Sequence, residues 1–268
     1  MMQGPALVGF GEAGSTFAAA GQWEGARGFD LIEARRDAMA AAGITACDSA
    51  RVALQGAEIA LCLVTADQAL AAAEAYGTHL SPGALWFDMN SVAPDTKRAA
   101  AAAIEAAGGR YVDVAVLAPV EPARLKVPLL LAGPAAGDAE TALRALGFSN
   151  VRVVGDEVGK ASAIKMIRSV MVKGIEALTA EMMLAAEKAG VTDEVLASLD
   201  ASEKALPWRE RAEYNIERMV THGLRRAAEM EESAKTLAAL GVEPVMTAGT
   251  VRRQREQAGK PIERSPNA

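Results

Sequence analysis

Two cysteines and two histidines in 268 residues leave little room for metal or disulfide chemistry. Cys47 and Cys62 lack CxxC spacing, and His79 and His222 stand alone, so neither a disulfide framework nor a zinc site is expected. Aromatic residues make up 4% of the chain and the formal net charge is −6, which provides no basic, aromatic stripe for nucleic acid. No apolar run reaches the ~18 residues of a membrane helix. No basic, cleavable leader pattern precedes the first strand-like run, so the expectation is a cytoplasmic protein without a membrane partner. The chain is 51% hydrophobic, enough for a sizeable core, and its length suggests two domains serving a small-molecule substrate.

The residues that are plentiful fall into an ordered pattern. "ALVGFGEAG" is a short apolar run ending in glycines, and the Ala-rich "STFAAAGQ" after it reads as helix. The alternation repeats through "GFDLIEAR", "AEIALCLVT", "GALWFDMN" and "RYVDVAV", with "VPLLLAG" and "VRVVG" as later strands. Strands alternating with helices of this length predict an α/β domain with a parallel sheet covered on both faces. From Gly159 only helical periodicity remains, broken at Gly190, Pro207, Gly241 and Pro244. The expected division is 1–158 for a dinucleotide-binding domain, 159–251 for an all-α domain and 252–268 for a polar tail.

"GFGEAG" sets Gly9, Gly11 and Gly14 in G-x-G-x-x-G spacing between the first strand and its helix. The first glycine permits the turn, the second lets a pyrophosphate approach the backbone, and the third allows close helix–strand packing. Phe10, Glu12 and Ala13 complete the loop. The end of the second strand selects the cofactor, because an acidic residue suits the ribose of NAD and arginine suits the 2′-phosphate of NADP. "LIEARRD" contains both: Glu33 lies 19 residues after Gly14, and Arg35 and Arg36 follow it. If the strand runs through Ala34, its tip is Arg35, so NADP is the expected cofactor and NAD the alternative.

The order "GFGEAG", "DMNSVAPDTKRA", "YVDVAV" and "GKASAIKMIRS" resembles the β-hydroxyacid dehydrogenase family, which includes 3-hydroxyisobutyrate, tartronate semialdehyde and 6-phosphogluconate dehydrogenases. The resemblance spans the whole chain. It implies an N-terminal Rossmann domain, a doubly wound sheet, joined by one long helix to a helical domain that closes the cleft and forms a homodimer. The family's G-x-G-x-x-x-K pattern corresponds to Gly159, Ala161 and Lys165, which makes Lys165 the expected catalytic residue. The D-S-S-T-x-x-P loop corresponds to Asp88, Met89, Asn90, Ser91 and Pro94, placing Asn90 at the cofactor and the Ser91 hydroxyl near substrate and nicotinamide. "CLVT" assigns Val64 and Thr65 to the nicotinamide side.

Departures from the family pattern bear on substrate. Where relatives carry D-A-P-V-S-G-G, this chain has Leu117, Ala118 and Pro119, an apolar wall in place of a carboxylate cradle. Ser169 replaces the usual asparagine, and "HGL" puts His222 where a lysine is expected. Together they resemble a branch with a divergent helical domain and imply a bulkier or more apolar substrate.

An isolated lysine on an apolar helix face is ordinarily a snorkelling residue. Lys165, however, begins the helix linking the two domains, where desolvation beside a cationic nicotinamide favours its neutral form. It then serves as general base toward a hydroxyl or, in reduction, as general acid toward a carbonyl. The expected activity is therefore hydride transfer between nicotinamide and a hydroxy acid or related alcohol or carbonyl. The short-chain dehydrogenase pattern is absent, since the fourth residues after Tyr76, Tyr111 and Tyr214 are Leu80, Ala115 and Arg218. An NADPH-dependent imine reductase and a non-catalytic NADP sensor are the alternatives.

Overall fold

The structure is a computed structural model describing residues 4–202 and 205–261. Two compact units result, residues 1–169 and 170–268. In the first, eight strands form one sheet in the order β3-β2-β1-β4-β5-β6-β7-β8. They are β1 (Ala6–Val8), β2 (Arg27–Phe29), β3 (Thr45–Ala46), β4 (Ile59–Cys62), β5 (Leu85–Asp88), β6 (Arg110–Val116), β7 (Leu129–Ala132) and β8 (Val151–Gly155). The helices are α1 (Glu12–Gly21), α2 (Arg35–Ala41), α3 (Ala50–Leu54), α4 (Ala69–Tyr76), α5 (Pro94–Ala106) and α6 (Ala136–Ala145).

Successive strand residues point to opposite faces, and both faces are covered. Leu7, Leu61, Phe87 and Val112 enter one buried cluster, while Ala6, Val8, Ala60 and Trp86 enter another. This explains why strands such as IALC and LWFD are apolar throughout rather than alternating. One expectation is corrected: β7 runs antiparallel to β6, although it pairs with β8 in parallel. The sheet order reverses direction between β1 and β4, and the crevice beyond their carboxyl ends is where such sheets bind ligands.

A 30-residue helix, α7 (Lys160–Ala189), carries the chain out of the first unit. Its first turns belong to that unit, because Ala161 packs with Ala115, Leu130 and Ala132 of the sheet. The compact unit therefore ends at Ser169, not at residue 158. The second unit is all helical, with the rest of α7, α8 (Thr192–Ser202), α9 (Trp208–Ala239) and α10 (Val245–Gln257). A Cβ on Gly223 would collide with the Gln254 carbonyl, so a glycine there lets α9 and α10 approach closely.

The carboxylate of Glu181 accepts from the Met246 and Thr247 N–H groups and the Thr247 hydroxyl, capping α10. Helix α10 occupies 252–257, residues expected as tail, and 262–268 lie outside the described residues. Among the described residues, no helix is long and apolar enough to cross a membrane.

Candidate cofactor cleft and reacting pair

A cavity of about 600 Å3 opens at the β1/β4 crevice, lined by Gly9, Gly11, Glu12, Ala13, Asp30, Arg35, Val64 and Thr65 among others. The three glycines differ in what they permit. Gly9 has φ +91°, and a Cβ there would lie 2.6 Å from the Leu63 carbonyl. One on Gly14 would meet the Gly9 carbonyl at 2.8 Å, so this glycine holds α1 against the strand. Gly11 has nothing within 4 Å of its would-be Cβ. The open space at Gly11, beside the N-terminus of α1, fits a pyrophosphate held on free N–H groups and the helix dipole. Phe29 and Tyr76 meet edge to face at 5.9 Å in the same cavity, beside Leu31 and Ile32, an apolar slot suited to a flat ring. The residues thus fit a dinucleotide. Phe10 departs from its expected role: its side chain is fully buried in the core, and only its backbone N–H reaches the cleft.

Strand β2 ends at Phe29, five residues short of the length that would put Arg35 at its tip. Asp30 occupies that position instead. Its Oδ2 accepts from Phe10 N at 2.6 Å and its Oδ1 from Ile32 N at 2.8 Å. Arg35 begins α2 and also lines the cavity. Arg36 does not line it, and instead pairs with Asp48 at 3.0 Å and Glu33 at 4.0 Å. Glu33, with 86% of its side chain exposed, is likewise outside the lining.

At the carboxyl end of β5, Ser91 meets the first turns of α7, where Lys165 Nζ donates to Ser91 Oγ. Asn90 does not face solvent. Its amide nitrogen donates to Asp88 Oδ1 at 2.7 Å and Cys62 Sγ at 3.3 Å, bracing the Ser91 loop against the segment that carries Val64 and Thr65. Burial and the nearby Asp88 carboxylate push the Cys62 thiol up to about 12. Leu117 begins the expected apolar wall. Its N–H donates to the Pro128 carbonyl and its carbonyl accepts from Arg168 Nη1 at 3.2 Å, while Ala118 and Pro119 are exposed. Ser169 is half-buried. His222 lies exposed on α9 of the second unit.

Sequence reasoning passed over four polar residues here. Asp30 was hidden by an overlong second strand. Arg168 shares a helix face with Lys165, three residues along. Lys97 and Asp113 are both fully buried, and only the apolar flanks of "RYVDVAV" hinted that Asp113 is internal.

The chain belongs to the family defined by the NAD binding domain of 6-phosphogluconate dehydrogenase, whose model matches residues 5–154. Residues 186–257 match a domain of unknown function, DUF1932. Among solved structures, a conserved hypothetical protein from Sinorhizobium meliloti 1021 is 38% identical, with 95% of this chain and 88% of that one covered and a TM-score of 0.63. A conserved protein of unknown function, noted for structural similarity with 3-hydroxyacid dehydrogenases, is 29% identical over 94% of this chain and 96% of its own, TM-score 0.61. The imine reductase of Streptomyces aurantiacus, 20% identical, shares the fold with a TM-score of 0.77 over 95% of this chain and 94% of that one. The protein has an NAD(P)-binding domain and a hydroxyacid-dehydrogenase-like architecture.

Proposed function

We propose that the protein is a dinucleotide-dependent oxidoreductase acting on a hydroxy acid or the corresponding carbonyl compound, with Lys165 as general acid/base and Ser91 orienting the reacting oxygen. The observation that carries this reading is the Lys165–Ser91 hydrogen bond at the carboxyl edge of a sheet whose glycine loop leaves room for a pyrophosphate. When bound, the dinucleotide supplies the hydride donor or acceptor. Lys165 takes the hydroxyl proton during oxidation, or returns it during reduction, from a half-buried position. Ser91 donates to or accepts from the same oxygen. Gly11 and the N-terminus of α1 hold the pyrophosphate, and Val64 and Thr65 border the nicotinamide side. Leu117, Ala118 and Pro119 give the substrate an apolar arm to rest on, with Ser169 beside the reacting pair. Arg168, against the Leu117 carbonyl, presents a guanidinium to a substrate carboxylate.

Asp30 at the tip of β2 supports NAD, since its carboxylate accepts from ribose hydroxyls and repels a 2′-phosphate. NADP is the second reading, supported by Arg35 in the cavity lining. Exposed apolar residues on the second unit's helices, such as Val170, Leu199 and Leu224, support a homodimer through that unit. His222 shares α9 with Leu224 and is likewise exposed.

A substrate screen of hydroxy acids, alcohols and cyclic imines with both cofactors tests the function. Turnover of hydroxy acids is expected. Activity confined to imines would replace this reading with an imine reductase, and dinucleotide binding without turnover of any compound would favour a sensor.

A further inference from the structure

The most unusual polar group in the first unit is a lysine with no exposure to solvent. Lys97 lies one turn into α5, and its side chain is 0% exposed. Asp88 and Asp113 are register partners on the adjacent parallel strands β5 and β6, so their carboxylates project side by side into the same dry interior. Two such charges would repel strongly without a cation. Lys97 Nζ lies 3.0 Å from Asp88 Oδ1 and 3.7 Å from Asp113 Oδ1, and donates to the Asp88 carbonyl at 2.6 Å. Tyr111 donates its hydroxyl to Asp88 Oδ2 at 2.6 Å.

Each carboxylate holds one half of the reacting pair. Asp88 Oδ1 accepts from the backbone N–H and side-chain amide of Asn90, fixing the loop on which Ser91 is the next residue. Asp113 Oδ2 accepts from Gly159 N at 3.0 Å, Ser162 N at 3.1 Å and Ser162 Oγ at 3.2 Å, capping the helix that carries Lys165 one turn later. Gly159 makes this possible, because its φ of +102° and the proximity of Arg98 and Pro94 leave no room for a side chain.

We infer that Lys97 is a positioning residue, whose buried ammonium clamps Asp88 to Asp113 and thereby sets the Lys165–Ser91 geometry. A buried ion pair adds little net stability compared with an apolar replacement, so stability alone does not account for a charge at this point. What the ammonium supplies is register between a loop and a helix from different parts of the chain. The inference rests on Lys165 and Ser91 being the reacting pair.

The test is the double variant Lys97→Met/Asp113→Asn, which removes one charge of each sign, leaves the net buried charge unchanged and retains an oxygen to accept from Gly159 and Ser162. Lys97→Met alone would leave two buried carboxylates facing each other, whereas the double variant leaves only Asp88, still held by the Asn90 N–H, the Asn90 amide and the Tyr111 hydroxyl. The expected result is a fall in kcat of at least about 30-fold, a shifted pH profile of kcat and ADP-ribose affinity within about twofold of wild type, since the cofactor cavity is lined by other residues. Amide exchange in 88–94 and 159–166 is expected to quicken at least about tenfold while 59–62 stays protected, which reads the clamp without any substrate. Unchanged exchange in those segments, or faster exchange with kcat within about threefold of wild type, would overturn the inference. A wild-type protein that turns over nothing in the screen would instead overturn the reading of the reacting pair, and exchange would still decide whether Lys97 is the clamp.

Discussion

Replacing Asp30 should change which dinucleotide the protein holds. Both carboxylate oxygens already accept a backbone N–H, from Phe10 and Ile32, which fixes the side chain facing the cavity and leaves lone pairs for a ribose hydroxyl. A hydrogen bond to such a charged group is worth about 1.5 to 3 kcal/mol. A 2′-phosphate roughly 5 Å away, at an effective dielectric of about 20, would be repelled by about 3 kcal/mol per unit charge. Asp30 is only half-buried and Arg35 borders the same cavity, so screening and attraction to the guanidinium cancel much of that repulsion. The expected net preference for NAD is then about 2 kcal/mol, or roughly 30-fold in affinity. Calorimetric titration of wild type, Asp30→Asn and Arg35→Ala with NAD and NADP measures it. Asp30→Asn should lose about tenfold in NAD affinity and bring the two cofactors within about threefold of each other. Wild type that binds NADP more tightly, with the preference abolished by Arg35→Ala, would refute the reasoning and return selectivity to Arg35.

Other outcomes follow from single contacts. Arg168→Leu should raise KM for hydroxy acids about tenfold while leaving neutral alcohols nearly unchanged, and equal effects on both would remove Arg168 from carboxylate binding. Burial alone would raise the Glu181 carboxyl, but hydrogen bonds from the Thr247 hydroxyl and the N–H groups of Met246, Thr247 and Val245 more than offset this and lower it. Because the folded value is depressed, the stabilisation is complete above the ordinary carboxylate range and is lost as pH falls through the folded value. Glu181→Gln should therefore cost about 1 to 2 kcal/mol at neutral pH and less in acid, measured by urea unfolding across pH. Cys62, its thiol pushed up to about 12, should resist alkylation in the native protein at pH 8, and rapid labelling there would contradict its burial.

The inner strands were readable because they are buried on both faces and therefore appear as unbroken apolar runs, as in IALC and LLLA. The antiparallel direction of β7 was not, since a run such as LLLA is equally apolar in either direction. Spacing between the first strand and its helix located Gly9, Gly11 and Gly14, because Gly9 and Gly14 answer local backbone demands and Gly11 leaves open space beside them. Asp30 was missed because β2 is three residues long and the turn that ends it carries Leu31 and Ile32, whose apolar side chains resemble a strand continuation. Lys97 was illegible for a different reason. Its partners Asp88 and Asp113 come from separate βα units and meet only through the strand register, which no local pattern encodes.

Lys165→Met tests the central claim most directly, because methionine keeps the packing of the stem and removes only the ammonium. If Lys165 moves the proton, the variant should fold, bind dinucleotide within about twofold of wild type, and lose about 10² to 10⁴ in kcat, the usual contribution of a positioned acid or base. The limb of the pH profile belonging to this group should disappear with it. Near-normal turnover by a folded Lys165→Met enzyme, with the pH profile intact, would contradict the account and reduce the Lys165–Ser91 hydrogen bond to a structural contact.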